Sequence, residues 1–141
     1  TRVWQQESGD FANHMLRFLE NHDETRLNSP AFAATNFWST IPGMVLTASM
    51  HDGPVMIYFG QEVGEAANEN AGFGTHSRTS IYDYIGVPNH QRWMNDGKFD
   101  GGQLSQSEKN LRDFYKRLLN LILFDLDFVK EDHYSKLNFL M

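Results

Sequence analysis

Two short stretches gather side chains that can move protons or grip a polar ligand. The first is Asn21-His22-Asp23, with Arg26 just beyond it. The second is Gly60-Gln61-Glu62. Carboxylates and imidazole are the usual groups of general acid–base work, and a fixed carboxylate can also stabilise charge that develops in a transition state. Each candidate has a plainer reading beside this one. Asp23 is also a good turn residue or helix N-cap. Glu62 suits a salt bridge, and Arg26 could pair with Glu24 or Glu62. His22 stands apart from any other histidine at metal-ligand spacing. The six histidines form no H-E-x-x-H pattern, so a transition-metal site built by the protein is not expected. There is no G-x-S-x-G, no phosphate-binding loop and no G-x-G-x-x-G. Gly72-Phe73-Gly74 is a lone fragment of the last pattern and follows no strand.

Both stretches follow apolar runs. Residues 15–20 (Met-Leu-Arg-Phe-Leu-Glu) and 55–59 (Val-Met-Ile-Tyr-Phe) read as strands. They show little polar alternation, as expected of strands buried on both faces in a parallel sheet. Between them, Ser29-Pro30 is a helix-start signal, with a short helical turn over 31–34. Residues 37–50 read as a helix, with Phe37, Ile41, Met44, Val45 and Ala48 at helical spacing and Pro42 near its start. Strand, helix and strand make a βαβ unit. Residues 61–104 are rich in Gly, Asn, Asp and Ser and read as a long loop, ordered by Phe73, Tyr82, Tyr84, Trp93 and Phe99. Ser105 and Glu108 form a capping box. The helix behind it carries Leu111, Phe114, Tyr115, Leu118, Leu119 and Ile122 on one stripe, with Lys109, Arg112, Asp113, Lys116 and Arg117 opposite. In a parallel α/β barrel, residues just past a strand's C-terminal end face the active site, which places both candidate stretches there.

Composition narrows the partners. The 141 residues are 40% hydrophobic and 13% aromatic, enough for a real core. The formal charge of −6 argues against nucleic acid, which selects basic surfaces. No basic run suggests an anionic membrane surface, and no apolar stretch approaches the roughly 20 residues of a membrane span. There is no cysteine, so disulfides and thiolate metal sites are excluded. The chain opens Thr1-Arg2-Val3-Trp4 without an initiator Met or a signal peptide, and reads as a piece of a longer reading frame.

The motifs also carry a resemblance. Phe18-Leu19-Glu20-Asn21-His22-Asp23, continued by Thr25-Arg26, resembles the α-amylase family's motif at the end of the seventh barrel strand. Gly53-Pro54-Val55-Met56-Ile57-Tyr58-Phe59-Gly60-Gln61-Glu62 resembles that family's eighth strand. The two occur in the family's order and at its separation. Tyr84-Ile85-Gly86-Val87-Pro88 and residues 89–100 resemble the loop before the last helix in bacterial α-amylases. Residues 111–119 resemble the eighth barrel helix. The likeness covers roughly residues 2–121 and stops at the tail, 124–141, which has no assigned character.

The resemblance implies an α/β fold made of the last two βα units of a TIM (β/α)8 barrel. A complete barrel needs about 250 residues. Residues 1–123 would be the C-terminal portion of the catalytic barrel. The implied activity is cleavage of α-glucosidic bonds in starch-type glucans with retention. Retention requires a nucleophile and a general acid about 5 to 5.5 Å apart. In the family these follow the fourth and fifth strands, so the chain alone is expected to hydrolyse nothing. By the resemblance Asp23 is the transition-state stabiliser. His22 and Asn21 bind the same sugar, Arg26 joins them or sits behind them, and Gly60, Gln61 and Glu62 form the structural rim. No metal site is implied within this chain; any calcium would belong to the parent enzyme. The expected ligand is an α-glucan or maltooligosaccharide. The exposed edges of an incomplete barrel predict self-association. Two rival readings share these residues: a non-catalytic carbohydrate-binding or structural module, and a sibling enzyme such as an α-glucosidase, a debranching enzyme or a transglycosylase.

Overall fold

The helical spacing at 37–50 is realised in two parts in the computed structural model. A 3-10 turn covers Phe37–Thr40, and an α-helix, α1, covers Ile41–Ser49. Pro42 sits in the first turn of α1, where a missing N–H costs nothing. The structure describes residues 7–32, 36–51, 53–67 and 86–129. Two more α-helices follow, α2 over Pro88–Met94 and α3 over Gln106–Val129. Shorter 3-10 turns cover Gly9–His14, Gln61–Val63 and Asn95–Gly97.

The capping box at the start of α3 forms as its residues predict. The Ser105 N–H donates to Glu108 Oε2 at 2.7 Å, and the Glu108 N–H donates to Ser105 Oγ at 3.3 Å. Arg92 of α2 closes on the same carboxylate, tying α2 to the first turn of α3. Burial pushes the Glu108 carboxyl up. The Arg92 bond and the two Ser105 bonds outweigh it, and the group lies below the usual carboxylate range.

The core is the contact of α1 with α3. Met44 and Ala48 meet Leu111, Tyr115 and Leu118, and all five are buried. Leu19, Val55 and Ile57 from the two apolar runs pack against this cluster, with Phe114 and Ile122 at its border. Each fully buried aliphatic side chain contributes about 1.5–3 kcal/mol. The stripe expected of α3 is thus the face that makes the core.

The fold class differs from the expectation. Among the described residues there is no strand and no sheet, so the two βα units of a TIM barrel are not formed. The two apolar runs touch through one isolated parallel bridge, Arg17 to Val55. The Arg17 N–H donates to Pro54 O at 2.9 Å, and the Met56 N–H donates to Arg17 O at 2.8 Å. The physical reason is the lack of a third strand among the described residues. Parallel pairing is the weaker kind per residue, and a pair of strands without a third is marginal in water. The runs reach the core as extended segments lying on the helices. Neither the sheet nor the burial on both faces is realised: Leu16 and Phe18 are exposed, and residues 55–59 are half-buried.

Two other differences concern 61–104 and the tail. The former is not loop throughout, since it contains the Gln61–Val63 turn and α2. Phe73, Tyr82 and Tyr84 lie outside the described residues, as do residues 33 and 34 of the turn expected at 31–34. In the tail, α3 continues to Val129. Among the described residues no helix is long and apolar enough to cross a membrane.

Candidate functional site

The chain leaves the core at Leu19 and returns at Leu27. Between them it makes a turn that holds the candidate residues. Asn21 organises the turn from within: its Oδ1 accepts the Asp23 N–H at 2.8 Å and the Glu24 N–H at 2.9 Å. This is the Asx geometry that favours Asn in turns. It leaves His22 and Asp23 on the outside. Their side chains are 45% and 69% exposed, and His22 Nε2 lies 3.3 Å from Asp23 Oδ2. Asp23 therefore presents a carboxylate to solvent with an imidazole at its side.

The base of the turn is closed by charge. Glu20 and Arg26 are both fully buried, and Arg26 Nη2 lies 3.1 Å from Glu20 Oε1. The other carboxylate oxygen, Oε2, accepts the Leu27 N–H at 2.6 Å. Glu20 thus links the residue before the turn to the residue after it. Burial pushes the Glu20 carboxyl above the usual carboxylate range, against the lowering effect of the Arg26 guanidinium and the Leu27 amide.

Arg26 also ties the first stretch to the second. Its Nη2 donates to Phe59 O at 2.9 Å, and its guanidinium carbon lies 4.8 Å from the Tyr58 ring centre and 5.5 Å from that of Phe59. Gly60 follows with φ +79, where a side chain is strained. A Cβ there would also come within 2.9 Å of Glu65 Cβ. Glycine is what lets the second stretch fold against Arg26 and Glu65.

The rim residues divide. Gln61 is buried and structural. It donates to the Tyr115 hydroxyl at 3.0 Å, and its Oε1 accepts the Tyr58 N–H at 3.2 Å. Burial pushes the Tyr115 phenol up, so it stays neutral. Glu62 is half-buried. Glu65, which the sequence reading did not single out, is buried and accepts the Asn89 and His90 N–H groups at 2.9 and 3.3 Å, holding the first turn of α2.

The structure therefore groups Asn21, His22 and Asp23 on one outward turn. It sets Arg26 beneath them, out of reach of solvent, beside the second stretch. In the sequence, Glu20 is only the last residue of an apolar run. Its signal was there: a carboxylate ending such a run needs a buried cation, and Arg26 was the nearby candidate. Among the described residues no group of three or more histidines or carboxylates is placed to hold a metal ion. Comparison with protein-family models, with curated proteins and with solved structures gives no match to this chain.

Proposed function

We propose that the Asn21-His22-Asp23 turn supplies the transition-state-stabilising carboxylate of an α-amylase-like glycoside hydrolase, which cleaves α-glucosidic bonds of starch-type glucans with retention. One observation carries the reading: an exposed carboxylate and imidazole stand side by side on a turn whose base is a fully buried ion pair. A turn residue with no further duty needs no such foundation. The motifs around both stretches, Phe18 to Arg26 and Gly53 to Glu62, support the same family.

Asp23 accepts hydrogen bonds from sugar hydroxyls next to the reacting carbon. Those bonds strengthen as the ring flattens toward an oxocarbenium-like state, so the carboxylate favours the transition state over the bound substrate. His22 donates to the same ring and limits its orientation. The nucleophile and general acid are not among these residues, and this chain alone binds glucan without cleaving it.

A titration tests this. Maltoheptaose is added to the 15N-labelled chain, following the amides of Asn21, His22 and Asp23 and the His22 ring protons. The reading expects saturable shifts on this turn, lost in Asp23→Ala, with no release of reducing sugar. Shifts absent from the turn overturn it. Hydrolysis by the chain itself would overturn the assignment of the nucleophile and acid to other residues.

A further inference from the structure

We infer that Glu20 and Arg26 are positioning residues for the Asp23 carboxylate, acting as a buried charge clamp that fixes the turn and ties it to the second motif. The inference rests on the reading of Asp23 given above, and it assigns work to two side chains that never meet the substrate.

Three observations carry it. First, the clamp spans the turn. Glu20 Oε1 holds Arg26 and Glu20 Oε2 holds the Leu27 amide, so both ends of the 21–25 turn are fixed to one carboxylate. Second, both partners are fully buried. Burying two charges is costly unless their geometry is well satisfied, and apolar residues of similar size would stabilise as well or better. Stability alone therefore gives little reason for an ion pair at this place. Glu20 Oε1 meets Arg26 as an ion pair without hydrogen-bond geometry, and the direction comes from the hydrogen bonds each partner makes elsewhere: the Leu27 N–H to Glu20 Oε2, and Arg26 Nη2 to Phe59 O. Third, Arg26 reaches past Glu20 to Phe59 O and lies against Tyr58 and Phe59. The turn is thereby registered against Gly60, the start of the second stretch.

Preorganisation is the link to function. A group that stabilises a transition state must already sit within a fraction of an ångström of its working position. Asn21 sets the inner shape of the turn, and the clamp sets where the turn stands.

The test separates positioning from folding. Glu20→Gln and Arg26→Lys each disturb the pair; Glu20→Gln with Arg26→Met removes both charges and leaves none unpaired. Turnover on amylose is measured on the longest native form of the protein, beside thermal unfolding of each variant. The clamp predicts that the double variant stays folded, loses at least tenfold in kcat, and keeps KM within about threefold, because the lost effect is confined to the transition state. Arg26→Lys, which keeps charge and loses the fork, recovers only part of the rate. A folded double variant with wild-type kcat and KM overturns the proposal. An independent arm needs no activity. Amide relaxation on the 141-residue chain should give rigid order parameters near 0.85 at Asp23 and Glu24, falling below about 0.6 in the double variant. Unchanged order parameters overturn the clamp. If Asp23→Asn turns over amylose like the wild type, the glycosidase reading fails, and the relaxation arm alone decides the clamp.

Discussion

Replacing Glu20 by Gln should cost more stability than replacing Glu20 and Arg26 together. The single change leaves the Arg26 guanidinium in a site that excludes solvent, without its counter-ion. Removing one partner of a buried pair costs about 3–5 kcal/mol. Two features place this case near the lower end. Arg26 keeps the Phe59 carbonyl at 2.9 Å, and it keeps the Tyr58 and Phe59 rings at 4.8 and 5.5 Å. A loss of about 3 kcal/mol in a chain of this size lowers Tm by roughly 10 °C, at about 3–4 °C per kcal/mol. Glu20→Gln with Arg26→Met takes both charges away and should return to within about 1 kcal/mol of wild type. Circular dichroism melts of the three proteins give the comparison. Equal melting of Glu20→Gln and wild type would refute the burial argument. A double variant no better than the single would refute the ion-pair argument.

Three further outcomes follow from other parts of the structure. Gln61→Leu removes the acceptor of the Tyr58 N–H and the donor to the Tyr115 hydroxyl, and should cost about 1–3 kcal/mol by urea unfolding. Glu108 is less proton-avid folded than unfolded, so its stabilising effect is present above the ordinary carboxyl range near 4.5 and is lost as pH falls through its lowered folded value; Glu108→Gln should flatten the acid limb of stability against pH, and an unchanged limb would contradict the Arg92 and Ser105 contacts. Leu16 and Phe18 are exposed on the run that meets Val55 at a single bridge, so the chain should self-associate with concentration in light scattering, and Phe18→Lys should reduce this; a clean monomer at all concentrations would contradict it.

Local signals in the sequence were the most legible. The Ser105–Glu108 box and the α3 stripe could be read because each rests on residues three or four apart, whose geometry a helix fixes. Met44 and Ala48 were named as one face of a helix for the same reason, and that face meets α3. The helix α2 was missed because its seven residues carry no apolar periodicity; only Pro88 at its start gave a local sign. The sheet was expected because an apolar run of five or six residues looks the same whether it pairs with a strand or lies extended on a helix. Pairing depends on partners elsewhere, and residues 15–20 find one bridge among the described residues. In the candidate site, Asn21, His22 and Asp23 could be named from their types. Glu20 carried a local sign, a carboxylate closing an apolar run shortly before Arg26, but the work of Glu65 and the reach of Arg26 to Phe59 could not be named, since burial and long-range contacts are properties of the folded chain.

The most direct measurement is reducing-sugar release from amylose by the longest native form of the protein, with and without Asp23→Asn. Asparagine keeps the size of the side chain and removes its charge. The account predicts that turnover falls about a hundredfold or more, the scale for losing one preorganised stabilising group. Turnover within a few-fold of wild type would contradict it and leave Asp23 as a turn residue.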